Sequence, residues 1–137
     1  MNASLQQQAI AAQNPRRGAA GGGPPTPVAI GPCNSAQTVN NQRIGQQVAE
    51  QYGWNTGQQW DDINNIAMAE SGWCNTIQNP GSTAYGIPQF LNTTWATVGG
   101  TKTSDARTQI ILFYKYIKQR YGTPSNAWAF HLSHGWY

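Results

Sequence analysis

Residues 56–73 read TGQQWDDINNIAMAESGW and carry the clearest periodic pattern of the chain. Apolar side chains recur in it at three- and four-residue spacing, which places them on one stripe of a helix: Trp60, Ile63 and Ala67. Thr56 stands at the start of the pattern and Gly72 just beyond it, where N-cap and C-cap residues belong. The segment therefore predicts an amphipathic helix over roughly 56–71.

Three further helical patterns surround this segment. A first helix is predicted over roughly 41–52, a third from the N-cap residue Ser104 to Gly122, and a short fourth over 125–133. Between the second and third helices, the Asn-Pro-Gly-Ser turn signal precedes the run YGIPQF at 85–90. The sequence therefore predicts a mainly α domain with an irregular middle.

The beginning of the chain has a different composition. Residues 18–27, GAAGGGPPTP, combine glycines with prolines that cannot continue a helix, so residues 1–38 are predicted to be a flexible extension or linker. Residues 39–137 then form the folded domain. The first eight residues lack the basic and apolar regions of a signal peptide, so conventional secretion is not predicted.

Charge is scarce in this chain of 137 residues. Only 9% of the residues are charged, against roughly 25% in an average globular chain, which excludes a coiled coil or a polybasic nucleic-acid arm. No apolar run approaches the ~18 residues of a membrane span. Any acid–base chemistry by a carboxyl group must use one of five residues: Glu50, Asp61, Asp62, Glu70 and Asp105.

Glu70 differs from the other four acids in its setting. It lies at the predicted C-terminal end of an apolar helix, where the negative end of the helix dipole and the apolar neighbours both disfavour an ionised carboxylate. A carboxylic acid that stays protonated is what cleavage of a glycosidic bond requires. A glutamate that merely caps or pairs near the helix end is the alternative interpretation.

Four separated motifs occur in an order typical of one family. They are ESGW at 70–73, NPGSTAYGIPQ at 79–89, YIKQRYGTP at 116–124, and AW at 127–128 with the final GWY. Over residues 40–137 the chain resembles the soluble lytic transglycosylase domain, in the form found in actinobacterial wall enzymes and in virion proteins of phages that infect those hosts. The resemblance implies a small lysozyme-like helical fold of the goose type with an irregular substrate-groove loop.

The resemblance also implies an activity and a site. Glu70 matches the family's catalytic glutamate, which cleaves the β-1,4 bond between N-acetylmuramic acid and N-acetylglucosamine in peptidoglycan without a cofactor. Residues expected to contact the glycan are Ser71, Tyr85, Gln89, Trp136 and Tyr137, with Gln89 expected to hold either the loop or the N-acetyl groups. The expected partners are glycan strands and, for a virion protein, other tail proteins, with no nucleic acid and no membrane insertion.

The number of carboxyl groups favours one mechanism. Glycosidases with two carboxyl groups hold them roughly 5 to 9.5 Å apart, whereas Asp61 and Asp62 lie about 12 to 14 Å from Glu70 along the predicted helix. Glu70 is therefore expected to act alone, first as acid and then as base, with a 1,6-anhydro product. A glycan-binding or structural module without turnover and a hydrolytic muramidase are the alternatives.

One element departs from the family pattern. Where the family has a tyrosine followed by asparagine, and the tyrosine contacts the catalytic glutamate, this chain has Phe130 and His131. Tyr137 or Tyr114 is expected to substitute for the missing hydroxyl. His131 and His134 are expected to be surface or substrate-side residues rather than metal ligands, because a complete metal site lacks further ligands.

Cys33 and Cys74 complete the set of predictions. An even cysteine count and a role at the cell wall favour a disulfide between them, with two free thiols as the alternative. The expected location is extracellular or virion-associated. A virion component that opens the wall for DNA entry and a secreted wall-remodelling enzyme are both consistent with these residues.

Overall fold

Helices make up 61% of residues 31–137, the part of the chain that the computed structural model describes. The α-helices are α1 (Ser35–Ala49), α2 (Gly57–Glu70), α3 (Asn92–Thr97), α4 (Ala106–Tyr121) and α5 (Pro124–His134), and a 3₁₀-helix (Glu50–Tyr52) follows α1. This described part contains isolated β-bridges but no regular strand. The mainly α class is confirmed, and a lysozyme-like fold remains a prediction.

Helix α1 begins earlier than the predicted residue 41. Asn34 is its N-cap: the Asn34 Oδ1 atom accepts from the Gln37 N–H at 2.9 Å, and the Gln37 side chain accepts from the Asn34 N–H at 2.8 Å. This capping box satisfies two amide groups that a helix start leaves unpaired. Residues 35–38 are therefore helical, and the other predictions for the extension concern residues 1–30, which lie outside the described residues.

Helix α2 forms where the periodic pattern predicts it, with Thr56 as its N-cap. The stripe of Trp60, Ile63 and Ala67 is buried in the core. After Glu70 the chain turns away through Gly72, whose φ of 62° lies in the left-handed region that a glycine adopts at little cost. The helix thus ends at the predicted acid, and residues 71–74 that follow it are also buried.

The region after α2 contains two differences from the prediction. Asp105, not Ser104, caps α4, because the Asp105 Oδ2 atom accepts from the Thr108 N–H at 2.9 Å and from its hydroxyl at 2.7 Å. These hydrogen bonds lower the pKa of the Asp105 carboxyl group. The short helix α3 was not predicted, since six residues carry too little periodicity.

The helices pack in pairs that bring the end of α2 close to α5. Helix α2 packs against α5, α1 against α4, and α4 against α5. Trp60, Trp95 and Trp128 lie in the core, as the sequence predicts for them. Within residues 31–137, no helix has the length and apolar character needed to cross a membrane.

A disulfide joins Cys33 to Cys74, with a Cα–Cα distance of 5.7 Å. The predicted pairing is confirmed, and the alternative of two free thiols is wrong. The bond connects the residue before the cap of α1 to the segment that follows α2. Disulfides of this kind form and persist in oxidising environments.

Candidate functional site

The site is centred on the carboxyl group of Glu70, the last residue of α2. Its side chain is only 2% exposed, and its Oε2 atom lies 3.1 Å from the Nε2 atom of His131 on α5. A buried carboxyl group requires a polar partner, because an isolated charge in the protein interior is strongly unfavourable. The pairing of α2 with α5 supplies that partner.

His131 is buried, with 1% of its side chain exposed, so the expectation of a surface or substrate-side histidine is wrong for this residue. The Trp128 ring, three residues earlier on α5, stacks on the imidazole at a centroid distance of 5.1 Å and an angle of 23°. His134 is exposed, in line with the expectation. The signal for burial was present: Ala127, Trp128 and His131 share one face of the helix.

Neutral phenol groups surround the carboxyl group. Burial raises the pKa of the Tyr137 phenol well above its ordinary value, and the negative charge of Glu70 raises it further. Burial is also the main cause of the raised pKa of Tyr116 and Tyr121, and the charge of Glu70 contributes to both. These phenols therefore stay protonated at neutral pH and serve as hydrogen-bond donors.

Neither tyrosine that was expected to replace the missing family hydroxyl donates to Glu70. The Tyr137 hydroxyl donates to the Pro88 carbonyl oxygen at 2.9 Å, and the Tyr114 hydroxyl donates to the Gly45 carbonyl oxygen at 2.7 Å. A phenol has one proton to donate. That expectation is wrong, and the contact to Glu70 comes instead from His131.

The loop at 85–90 is joined to the end of α2 by Ser71. The Ser71 hydroxyl donates to the Ile87 carbonyl oxygen at 2.7 Å and lies 3.2 Å from the Ala67 carbonyl oxygen, and the side chain is fully buried. Gln89 also holds the loop, because its Nε2 atom donates to the Gly86 carbonyl oxygen at 3.0 Å. Ser71 and Gln89, both predicted to contact the glycan, therefore hold the backbone of the loop that is joined to the end of α2.

Gln109 on α4 is a further residue of the site that the sequence analysis did not identify. Its Oε1 atom accepts from the Ile87 N–H at 2.9 Å, and its Nε2 atom donates to the carbonyl oxygens of Asn75 and Thr103 at 2.8 and 2.7 Å. Gln109 is fully buried. A polar residue four positions before the buried Phe113, on the apolar face of a helix, was the available signal.

Gly86 is where the loop meets Gln109. Its φ is 78°, and a Cβ atom added there would lie 2.5 to 2.6 Å from the Gln109 amide group. The backbone therefore approaches the Gln109 side chain closely at this glycine. Three hydrogen bonds hold the Gln109 amide in place, so it cannot move aside at low cost.

We expect Gly86→Ala to lower the free energy of unfolding by about 3 kcal/mol, from left-handed backbone strain together with overpacking. Gly53→Ala is the matched control, because Gly53 has a φ of 73° and nothing within 4 Å of its added Cβ atom. Backbone strain alone should cost it about 1 kcal/mol. Urea unfolding of both variants measures the difference, and equal losses would show that Gln109 yields to the extra atom.

Tyr85 and Trp136 are placed differently from each other. Tyr85 is half-buried, with its hydroxyl 2.8 Å from the Ser104 hydroxyl and the Lys102 ammonium 5.0 Å from its ring centroid. Trp136 is 8% exposed, and the Arg120 guanidinium lies 5.5 Å from its ring centroid. Tyr137 is fully buried. Of the three predicted aromatic contacts, Tyr85 has the most accessible ring.

The remaining acids stand apart from this arrangement. Glu50 and Asp105 are exposed, and Asp62 is buried but bonded to Gln58 at 2.9 Å. Among residues 31–137, no group of three or more His, Cys, Asp or Glu side chains could hold a metal ion. Comparison with protein-family models, with curated proteins and with solved structures gives no match for this chain.

Proposed function

We propose that the protein is a peptidoglycan lytic transglycosylase that cleaves the β-1,4 bond between N-acetylmuramic acid and N-acetylglucosamine. The observation that carries the proposal is the buried carboxyl group of Glu70 at the C-terminal end of α2, with His131 at 3.1 Å. A buried carboxyl group with a fixed partner suits a group that must release and regain a proton. The sequence resemblance supplies the substrate class.

The proposed reaction uses Glu70 twice. The protonated carboxyl group gives its proton to the glycosidic oxygen, the bond from that oxygen to C1 of the muramic acid breaks, and the bond electrons stay on the oxygen. The carbonyl oxygen of the substrate's own N-acetyl group then stabilises C1. Glu70, now a carboxylate, takes the proton of the C6 hydroxyl as O6 attacks C1, which forms the 1,6-anhydro sugar and restores the acid.

The positions of the other acids support a single-carboxyl mechanism. Asp105 is occupied as the cap of α4 and Glu50 is exposed on the 3₁₀-helix after α1. Asp61 and Asp62 lie eight to nine residues before Glu70 on α2, which corresponds to about 12 to 14 Å along the helix axis. A second carboxyl group at the spacing of a retaining or inverting glycosidase would have to come from elsewhere.

Access to the carboxyl group requires movement. Because Glu70 is 2% exposed, a glycan reaches it only when neighbouring side chains move aside. The C-terminal segment is the candidate for this movement: the Tyr137 ring lies 6.5 Å from the His131 ring, and the Tyr137 hydroxyl donates to the Pro88 carbonyl oxygen of the loop. Closure over a bound substrate also excludes water, which favours attack by O6 over hydrolysis.

The same burial favours a second candidate function. A fully enclosed Glu–His contact is also what a structural pair between two helices looks like, so a glycan-binding or structural module without turnover is the alternative. A muramidase that uses Glu70 with water as the nucleophile is the third. The disulfide is consistent with an extracellular or virion-associated setting for all three, and the net charge of +3 would favour approach to an anionic wall.

Digestion of purified peptidoglycan, with the released muropeptides weighed by mass spectrometry, separates the three functions. We expect products with anhydro ends, which are lighter by one water than reducing ends. Reducing ends would identify a muramidase. Sedimentation of the protein with the wall material without any release would identify a binding module.

A further inference from the structure

We propose that His131 is the positioning residue of Glu70: its imidazole donates the Nε2–H to Oε2 of the carboxyl group and holds that group in one orientation through both proton transfers. This inference rests on the proposed function. The inference also goes beyond that function. It assigns to a histidine of this chain the contact to the glutamate that a tyrosine hydroxyl makes in the family the chain resembles.

The geometry comes from two helices that are far apart in sequence. Glu70 ends α2, and His131 lies near the end of α5, at a sequence separation of 61. Both side chains are almost completely buried, at 2% and 1% exposure, so water competes little for the contact. A hydrogen bond to a carboxylate in such a site is stronger than one between neutral groups.

The imidazole is fixed before any substrate binds. The Trp128 ring stacks on one side of it at 5.1 Å, and the Tyr137 ring lies 6.5 Å away at an angle of 41°. Rotation of the His131 side chain would therefore disturb two aromatic contacts. A donor held in this way needs no reorganisation when charge appears on Glu70.

Two other segments contribute ionisable side chains near Glu70. Helix α4 contributes Tyr116, Tyr121 and Arg120, and the C-terminal segment contributes Tyr137. The tyrosine phenols are uncharged at neutral pH because burial raises their pKa. The Arg120 guanidinium lies 5.6 Å from the Tyr121 ring centroid and 3.0 Å, through its Nε atom, from the Tyr121 hydroxyl. The positive charge of Arg120 therefore lies next to the Tyr121 phenol.

The proposed hydrogen bond survives the whole reaction. When Glu70 is a carboxylate, Oε2 accepts from the imidazole as a charged oxygen. When Glu70 carries its proton on the other oxygen, Oε2 accepts as a carbonyl oxygen. The same donor thus serves the acid step and the base step, and it lowers the free energy of the carboxylate that exists between them.

Two substitutions of His131 test the role, measured as kcat and KM on soluble glycan strands. His131→Gln keeps an N–H donor at a similar reach, so its kcat should stay within about threefold of the wild type. His131→Leu removes the donor at similar volume, so its kcat should fall about 10- to 100-fold with little change in KM. His134→Gln, on the exposed side of the same helix, is the control and should match the wild type.

A spectroscopic measurement keeps the proposal testable if His131→Leu does not fold. In the ¹⁵N spectrum of the wild-type imidazole rings at pH 8, we expect His131 to carry its proton on Nε2, with the assignment made from His134→Gln. A proton on Nδ1 would overturn the proposal, as would full kcat in His131→Leu or equal losses in both variants. A wild-type chain that cleaves no glycan would overturn the proposed function instead.

Discussion

Replacement of Glu70 by glutamine is expected to reduce the release of muropeptides by about 10²- to 10⁴-fold, the range found when a general acid–base residue is removed. Glutamine has nearly the same shape and can still bond to His131, but it has no proton to give to the glycosidic oxygen. Because Glu70 performs both proton transfers in the proposed mechanism, the loss should lie toward the upper end of that range.

The matched control is Asp61→Asn, which removes a carboxyl group from the same helix. Asp61 is half-buried and lies nine residues before Glu70, so we expect activity close to that of the wild type. Circular dichroism of both variants should show an intact helical fold. Full lytic activity in Glu70→Gln would mean that another residue is the acid, and equal losses in both variants would mean that the assay reports general damage.

Removal of the disulfide, in the double variant Cys33→Ser and Cys74→Ser, is expected to lower the free energy of unfolding by about 4 kcal/mol. The bond closes a loop with a sequence separation of 41 residues, and the chain-entropy treatment of the unfolded state gives this value. For a domain of this size the loss corresponds to a fall in Tm of roughly 20 °C. Thermal unfolding followed by circular dichroism measures it.

Treatment of the wild type with a reducing agent is the natural comparison for this variant. Reduction should lower its Tm by a similar amount, whereas the serine variant should not respond to the same treatment. A change in stability below about 1 kcal/mol would contradict the prediction. It would indicate that packing around residues 33 and 74 stabilises the fold without the covalent bond.

Periodicity was sufficient to predict the long helices. The stripe of Trp60, Ile63 and Ala67 predicts α2 because apolar residues that recur every three to four positions lie on one face of a helix. That face is stable when it packs in the core. The start of α1 was predicted six residues too late, although Asn34 and Gln37 form a recognisable capping pair. Because the residues before them are rich in proline and glycine, the end of the flexible extension was predicted at residue 38.

Glu70 could be selected from the sequence, whereas its partner could not. A glutamate at the end of an apolar helix is visible in the sequence pattern alone. His131 lies 61 residues away, and the pairing depends on how α2 packs against α5. The role of Ser71 could not be predicted for the same reason: the loop that it holds returns to α2 only in the folded chain.

The disulfide also determines how the domain would bear mechanical load. Tension applied through the chain preceding Cys33 would pass across the sulfur–sulfur bond to Cys74 and bypass the intervening residues. Both α1 and α2, with Glu70 at its end, lie inside this covalent ring, whereas α4 and α5 lie outside it. A pull from that side would therefore leave the first two helices unstretched. The shielded and loaded parts of the domain would meet where α1 packs against α4 and where α2 packs against α5, the second of which includes the contact between Glu70 and His131.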